Sequence, residues 1–214
     1  MGIQKNTTDI SLVQLVISIV IALLMLSVIA IVLYLFDYKP DNIKMYTTGA
    51  MTQMSFIVSI LYLNKYYKSF IICKPSLRMS WWVLVGIITT SIINYPYKVL
   101  SGEHSKPALY NSFIDFNVFE KFIFIILLTV IGPIIEEIFN RYYAYNILKE
   151  KYGVKYGILF SSFIYMILHG ELSLLLFLFG VIFAFIYEKT KKILASMIVH
   201  GAMNFIWFTL IYYA

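Results

Sequence analysis

The 214 residues are 61% hydrophobic and 18% aromatic but only 13% charged, with a mean hydropathy of +0.82. That balance excludes an ordinary soluble domain and points to an integral membrane protein. The formal net charge of +6 needs no nucleic-acid partner to explain it, because basic rims beside apolar spans suit anionic lipid headgroups, and neither an arginine-rich stripe nor a Gly-rich phosphate loop is present.

A helix needs about 20 residues to cross the hydrocarbon core, with about 17 to 25 tolerated. The first charge-free run, 10–36, meets that length. It is too long for the apolar region of a secretion signal, and no small-residue cleavage site follows, so it is expected to be a retained anchor. A second run covers 45–64. After it comes the lone Cys73, flanked by Lys68, Lys74 and Arg78, which excludes an internal disulfide framework and places the thiol on a membrane face.

The third run is 79–97, followed by the longest polar connection, "SGEHSKPALYNSFIDFN" at 101–117. There His104 is expected to be solvated and a short interfacial helix to start near Pro107. Three further spans carry titratable groups, at roughly 119–148, 155–170 and 192–213, and the charge-free run 172–187 joins them if its charged ends snorkel. Trp81, Trp82, Tyr212 and Tyr213 fit interfacial belts near helix ends.

The expected fold is all-α: a polytopic transmembrane helix bundle of about seven spans in a single domain. Residues 1–118 hold three spans and the outer loop, and 119–214 a four-helix core. A transmembrane barrel would instead show alternating segments of about ten residues. With the amino terminus inside, the inner segments hold eleven Lys and Arg residues against five outside. This bias supports that orientation.

The stretch "PIIEEIFNRYYAY", 133–145, buries Glu136, Glu137 and Arg141 in apolar sequence, and each costs about 2.5 to 3.5 kcal/mol at a helix centre. Glu137 and Arg141 are spaced i, i+4 with the acid first, the favourable order for a helical ion pair. Glu136, about 100° away around the helix, is left uncommitted. His169 has Tyr165 at i−4 on its face, and His200 has Asn204 at i+4. Glu136 and His169 lie 17 and 16 residues from Gly153, in the turn "KEKYGVKYG", so antiparallel helices would hold them at one depth. His200 is offset by roughly 9 Å at about 1.5 Å per residue, to be absorbed by tilt or a shifted turn.

A carboxylate and an imidazole at one depth can activate water, and His200 with Asn204 could supply donors to an oxyanion. The chemistry that follows is hydrolysis of an acyl bond, with a peptide bond as the target. The same residues could instead ligate zinc through Glu136, His169 and His200. No HExxH is present and cysteine ligands are absent, so a cofactor-free general base is ranked first.

"EEIFNR", "YMILH" and "HGAMN", in that order, resemble the EExxxR, FxxxH and HxxxN signatures of the CAAX protease and bacteriocin-processing (CPBP, or Abi) family of intramembrane proteases. The resemblance covers about residues 130–208. It implies that Glu136 and His169 activate water, that His200 and Asn204 form the oxyanion site, and that Glu137 with Arg141 brace the helix. It also implies an apolar or lipidated peptide substrate, a multi-pass bacterial membrane location and the label of metalloprotease that some members carry. Tyr165, Asn140 and Tyr142 depart from the family's usual residues and bear on substrate class. Two other classes compete: a silent scaffold or bacteriocin-immunity protein that binds a peptide, which would not need the intact polar set, and a proton-coupled transporter, which would show repeated halves.

Overall fold

The computed structural model describes residues 7–35, 42–66, 76–100, 113, 116–169 and 172–212. Cys73, His104, Tyr213 and the expected helix at Pro107 lie outside them. Among the described residues the secondary structure is helical, in seven rods: α1 (Thr7–Leu35), α2 (Asn42–Leu63), α3 (Leu77–Leu100), α4 (Val118–Tyr152), α5 (Val154–Leu168), α6 (Leu174–Thr190) and α7 (Ile193–Tyr212). Of these, α4 and the Ile193–Leu210 part of α7 are long and apolar enough by themselves to cross a membrane.

Apolar residues run along the outside of the bundle in helical stripes. On α1 the exposed residues include Val13, Val16, Val20, Leu24, Val28 and Ile31, and on α3 Leu77, Trp81, Leu84, Ile88 and Ile92. Spacings of three and four put each set on one face. Apolar faces of this extent, turned outward, suit lipid and not water. The chain is a membrane protein, and its polar groups are turned inward.

Because lipid tails are as apolar as the helices, burial of apolar surface does little to drive one span against another, and close approach through small residues takes over. Ser59 Oγ, buried between α1 and α2, donates to Ser18 O across that interface at 3.0 Å. A Cβ on Gly180 would stand 2.9 Å from Ser162 Cα, so α5 and α6 touch nearly backbone to backbone. α4 threads the middle. Its carboxyl-terminal half packs on α1 and α2 through Phe139, Tyr143 and Ile147, while Tyr165 of α5 joins Phe183, Val199 and Met203 in a second core built with α3, α6 and α7.

Two features shape the ends. Gly153, at φ 85°, makes the α4–α5 turn in backbone territory that side-chain-bearing residues avoid. At the same end Glu188 of α6 takes hydrogen bonds from Tyr145 and from Lys149 (2.7 Å), and pairs with Lys191, which ties α4 to the α6–α7 turn.

α4 departs from the regular helix expected over 119–148. Leu127–Ile131 and Ile138–Tyr145 are π-helical, flanking the α-helical Gly132–Glu137. Widening the helix to i→i+5 bonding shifts side chains around the axis and leaves carbonyls for other partners.

Candidate active site

The site begins at Pro133. Gly132 N–H bonds Leu127 O, five residues back, and the next donor in that register would be Pro133, which has no N–H. The Leu128 carbonyl therefore needs a donor from elsewhere. Asn204 Nδ2 supplies it at 2.9 Å, pinning α7 to α4, and its second amide hydrogen has no acceptor assigned among the described residues. Asn204 thus has a structural duty that its i, i+4 spacing from His200 did not reveal.

The two helices come close enough for this because Gly201 carries no side chain. A Cβ there would sit 2.2 Å from Thr129 O, a backbone atom. Gly201→Ala is accordingly expected to push α7 off α4 at a cost of about 1 to 3 kcal/mol. Thermal denaturation in detergent should show a clear drop for the variant, and an unchanged midpoint would refute the close approach.

Next on α4, Glu137 is fully buried and serves Arg141, His200 and the Ser196 side chain. Its Oε2 accepts from Arg141 Nε at 3.0 Å, the expected i, i+4 pair, and its Oε1 accepts from His200 Nδ1 at 3.1 Å. Glu137 is therefore more than the helix brace the sequence suggested, since it also orients the α7 imidazole. The guanidinium stacks against Tyr165 and Phe183, 5.3 Å and 5.8 Å from their ring centroids. Its Nη1 and Nη2 are buried without a hydrogen-bond partner among the described residues.

Glu136 faces a different way. Its Oε1 accepts from Gln53 Nε2 of α2 at 3.0 Å, while Oε2 lies 3.4 Å from His169 Nε2 and 3.8 Å from His200 Nε2. The level pairing of Glu136 with His169 is realised. The depth offset of His200 is partly absorbed by His169, which folds back on its own helix with its ring 4.2 Å from that of Tyr165. At the end of α5 the His169 N–H turns to Met166 O, which frees the Tyr165 carbonyl, and His169 Nδ1 caps it at 2.8 Å. Tyr165 in turn places its hydroxyl 3.3 Å from His200 Nε2.

These bonds set the tautomers. A carbonyl and a carboxylate can only accept, so Nδ1 carries the proton in both His169 and His200. In neutral His169 the bare Nε2 then faces Glu136 Oε2, acceptor against acceptor, and a proton donor is needed between them. Neutral His200 accepts from the Tyr165 hydroxyl; as an imidazolium beside Glu137 it would donate from Nε2. Side-chain exposure falls from 27% at His169 to 12% at Glu136 and 2% at His200, so the site opens on the His169 side.

The Nε2 atoms of His169 and His200 both turn toward Glu136 Oε2, but the Tyr165 hydroxyl sits against His200 Nε2. No group of three or more His, Cys, Asp or Glu among the described residues is arranged to hold a metal ion.

Gln53 is the member that sequence reasoning missed. It lies 83 positions from Glu136, within a charge-free span. Its one signal was an amide in the apolar run "MTQMSFIV".

Residues 118–206 match the family model described as "Type II CAAX prenyl endopeptidase Rce1-like". A Bacillus subtilis (strain 168) protein named "Putative membrane peptidase YdiL" is 39% identical over 82 residues, which is 37% of this chain and 34% of that protein. The matched part thus spans about a third of the relative's length. No solved structure matches the chain significantly. The matched segment holds Glu136, Glu137, Arg141, Tyr165, His169, His200 and Asn204 in the three motifs, on the three helices that meet at this site, and over residues 118–206 the chain is similar to the Rce1-like type II CAAX prenyl endopeptidases.

Proposed function

We propose that this protein is an intramembrane endopeptidase that hydrolyses a peptide bond of a membrane-associated or lipidated substrate without a metal. The observation that carries the reading is the facing of Glu136 Oε2 and His169 Nε2 at 3.4 Å in a site that is nearly closed to solvent. A water seated beside the pair, within hydrogen-bond reach of both atoms, donates one hydrogen to each, and its oxygen lone pairs are left pointing at an incoming carbonyl carbon.

Attack forms the new C–O bond while Glu136 takes the water's proton. The oxyanion receives hydrogen bonds from His200, as the imidazolium held by Glu137, and from the second amide hydrogen of Asn204. Collapse breaks the C–N bond, and Glu136 returns its proton to the leaving amine, giving a carboxylic acid and an amine. The protein is then a multi-pass protein of a bacterial cell membrane with its amino terminus inside, residues 119–214 form the catalytic core, and no cofactor takes part.

The test is the full chain reconstituted in vesicles with peptides of one sequence, lipidated and unlipidated, with and without a zinc chelator. Cleavage at one bond that survives the chelator is the expected result. Activity lost to the chelator and restored by zinc would replace the metal-free base, and saturable binding without cleavage would favour a peptide-binding scaffold.

A further inference from the structure

The residue that holds Glu136 belongs to α2, outside the segment 118–206 that matches the family. We propose that Gln53 is a positioning residue for hydrolysis: its amide anchors one oxygen of Glu136 so that the other is presented to the water at His169. This rests on the reading of Glu136 as the base.

A glutamate side chain ends in a broad, roughly two-fold torsion, so an unanchored carboxylate would not keep one oxygen on His169. Gln53 removes that freedom, because its Nε2 donates to Glu136 Oε1 at 3.0 Å and leaves Oε2 toward the imidazoles. The amide orientation follows from chemistry: an ionised carboxylate only accepts, so nitrogen must face it. α4 makes room for the contact at Gly132, where a Cβ would stand 3.2 Å from Gln53 Nε2 and 3.7 Å from Glu136 Oε1.

The other two atoms of the pair, Gln53 Oε1 and Glu136 Oε2, are buried acceptors with no hydrogen-bond partner among the described residues. Both call for a donor, which water or a substrate N–H can supply. A purely structural amide would be satisfied on both ends. The amino-terminal half of the chain, which the family match does not cover, thereby contributes directly to the site.

The experiment uses the full chain in vesicles and a peptide the wild type cleaves. Gln53→Met keeps the volume and removes the amide; Gln53→Asn keeps the amide on a stem too short to reach. Each is expected to lower kcat about 100-fold, the scale of a roughly 1 Å misplacement at a reacting group, with KM within about twofold. In a Glu136→Gln background Gln53→Met should add no further loss, because its effect passes through the carboxylate. Infrared spectra of isotope-labelled glutamate, with the Glu136 band identified by its absence in Glu136→Gln, should show that band shifted in Gln53→Met. Wild-type kcat in both Gln53 variants alongside an inactive Glu136→Gln would overturn the positioning role and leave the general-base reading intact. If Glu136→Gln proves fully active, the general-base reading fails instead, and an unmoved infrared band then overturns the anchoring as well.

Discussion

Glu136→Gln is expected to lower kcat/KM by about 10³-fold while the protein still folds. General acid–base groups contribute roughly 10² to 10⁴ in rate, and in the proposed reaction one carboxylate both accepts the water's proton and returns it to the amine. Glutamine has the same shape and can still hydrogen-bond to Gln53 by turning its amide, so packing at 12% exposure is kept while basicity is lost. The measurement is initial-rate cleavage beside a thermal denaturation curve for each protein. A variant that retains more than a tenth of wild-type activity would remove Glu136 from the chemistry.

Arg141 carries the second large effect, on stability. Glu137 and Arg141 are both fully buried, and the guanidinium is the closest full positive charge to a carboxylate that water does not reach. Breaking a buried pair by removing one partner costs about 3 to 5 kcal/mol, because the remaining charge is stranded. Arg141→Met keeps much of the volume and leaves Glu137 without a full positive charge beside it, held by His200 Nδ1 at 3.1 Å and the Ser196 side chain. A fall in thermal midpoint of roughly 10 °C is expected for a chain of this length, along with loss of activity as His200 loses its fixed carboxylate. Adding Glu137→Gln should recover part of the midpoint without restoring activity, since a neutral pair leaves no stranded charge but no longer orients the imidazole. A single variant as stable as wild type would show that the network contributes specificity alone.

The two results separate what the polar groups do. Glu136 sits between the more exposed His169 and the buried Glu137–Arg141–His200 set, which lies behind it, closed off and aromatic-walled. Adjacent carboxylates on one helix thus answer to different partners: one to Gln53 and His169, the other to Arg141 and His200.

Much of this could be read from the chain because it depends on local quantities. Hydropathy located the helices, since each apolar run is a continuous local stretch of sequence. The Glu137–Arg141 pair followed from helical periodicity, and the common depth of Glu136 and His169 from equal counts about Gly153, which constrain an antiparallel hairpin whatever surrounds it. What only the tertiary structure decided are the contacts that depend on how each helix is rotated and how its hydrogen bonds are registered. The π segments of α4 leave no mark on apolar periodicity, yet they place the Leu128 carbonyl opposite a proline and hence draw in Asn204. Sharing of Glu137 between Arg141 and His200 requires α7 to approach at Gly201. The arrival of Gln53 at Glu136 requires α2 to turn one uncharged amide out of an apolar span toward α4. In a bundle solvated by lipid, helix rotation is set by close packing at small residues and by satisfaction of buried polar groups, and neither is visible until the helices are side by side.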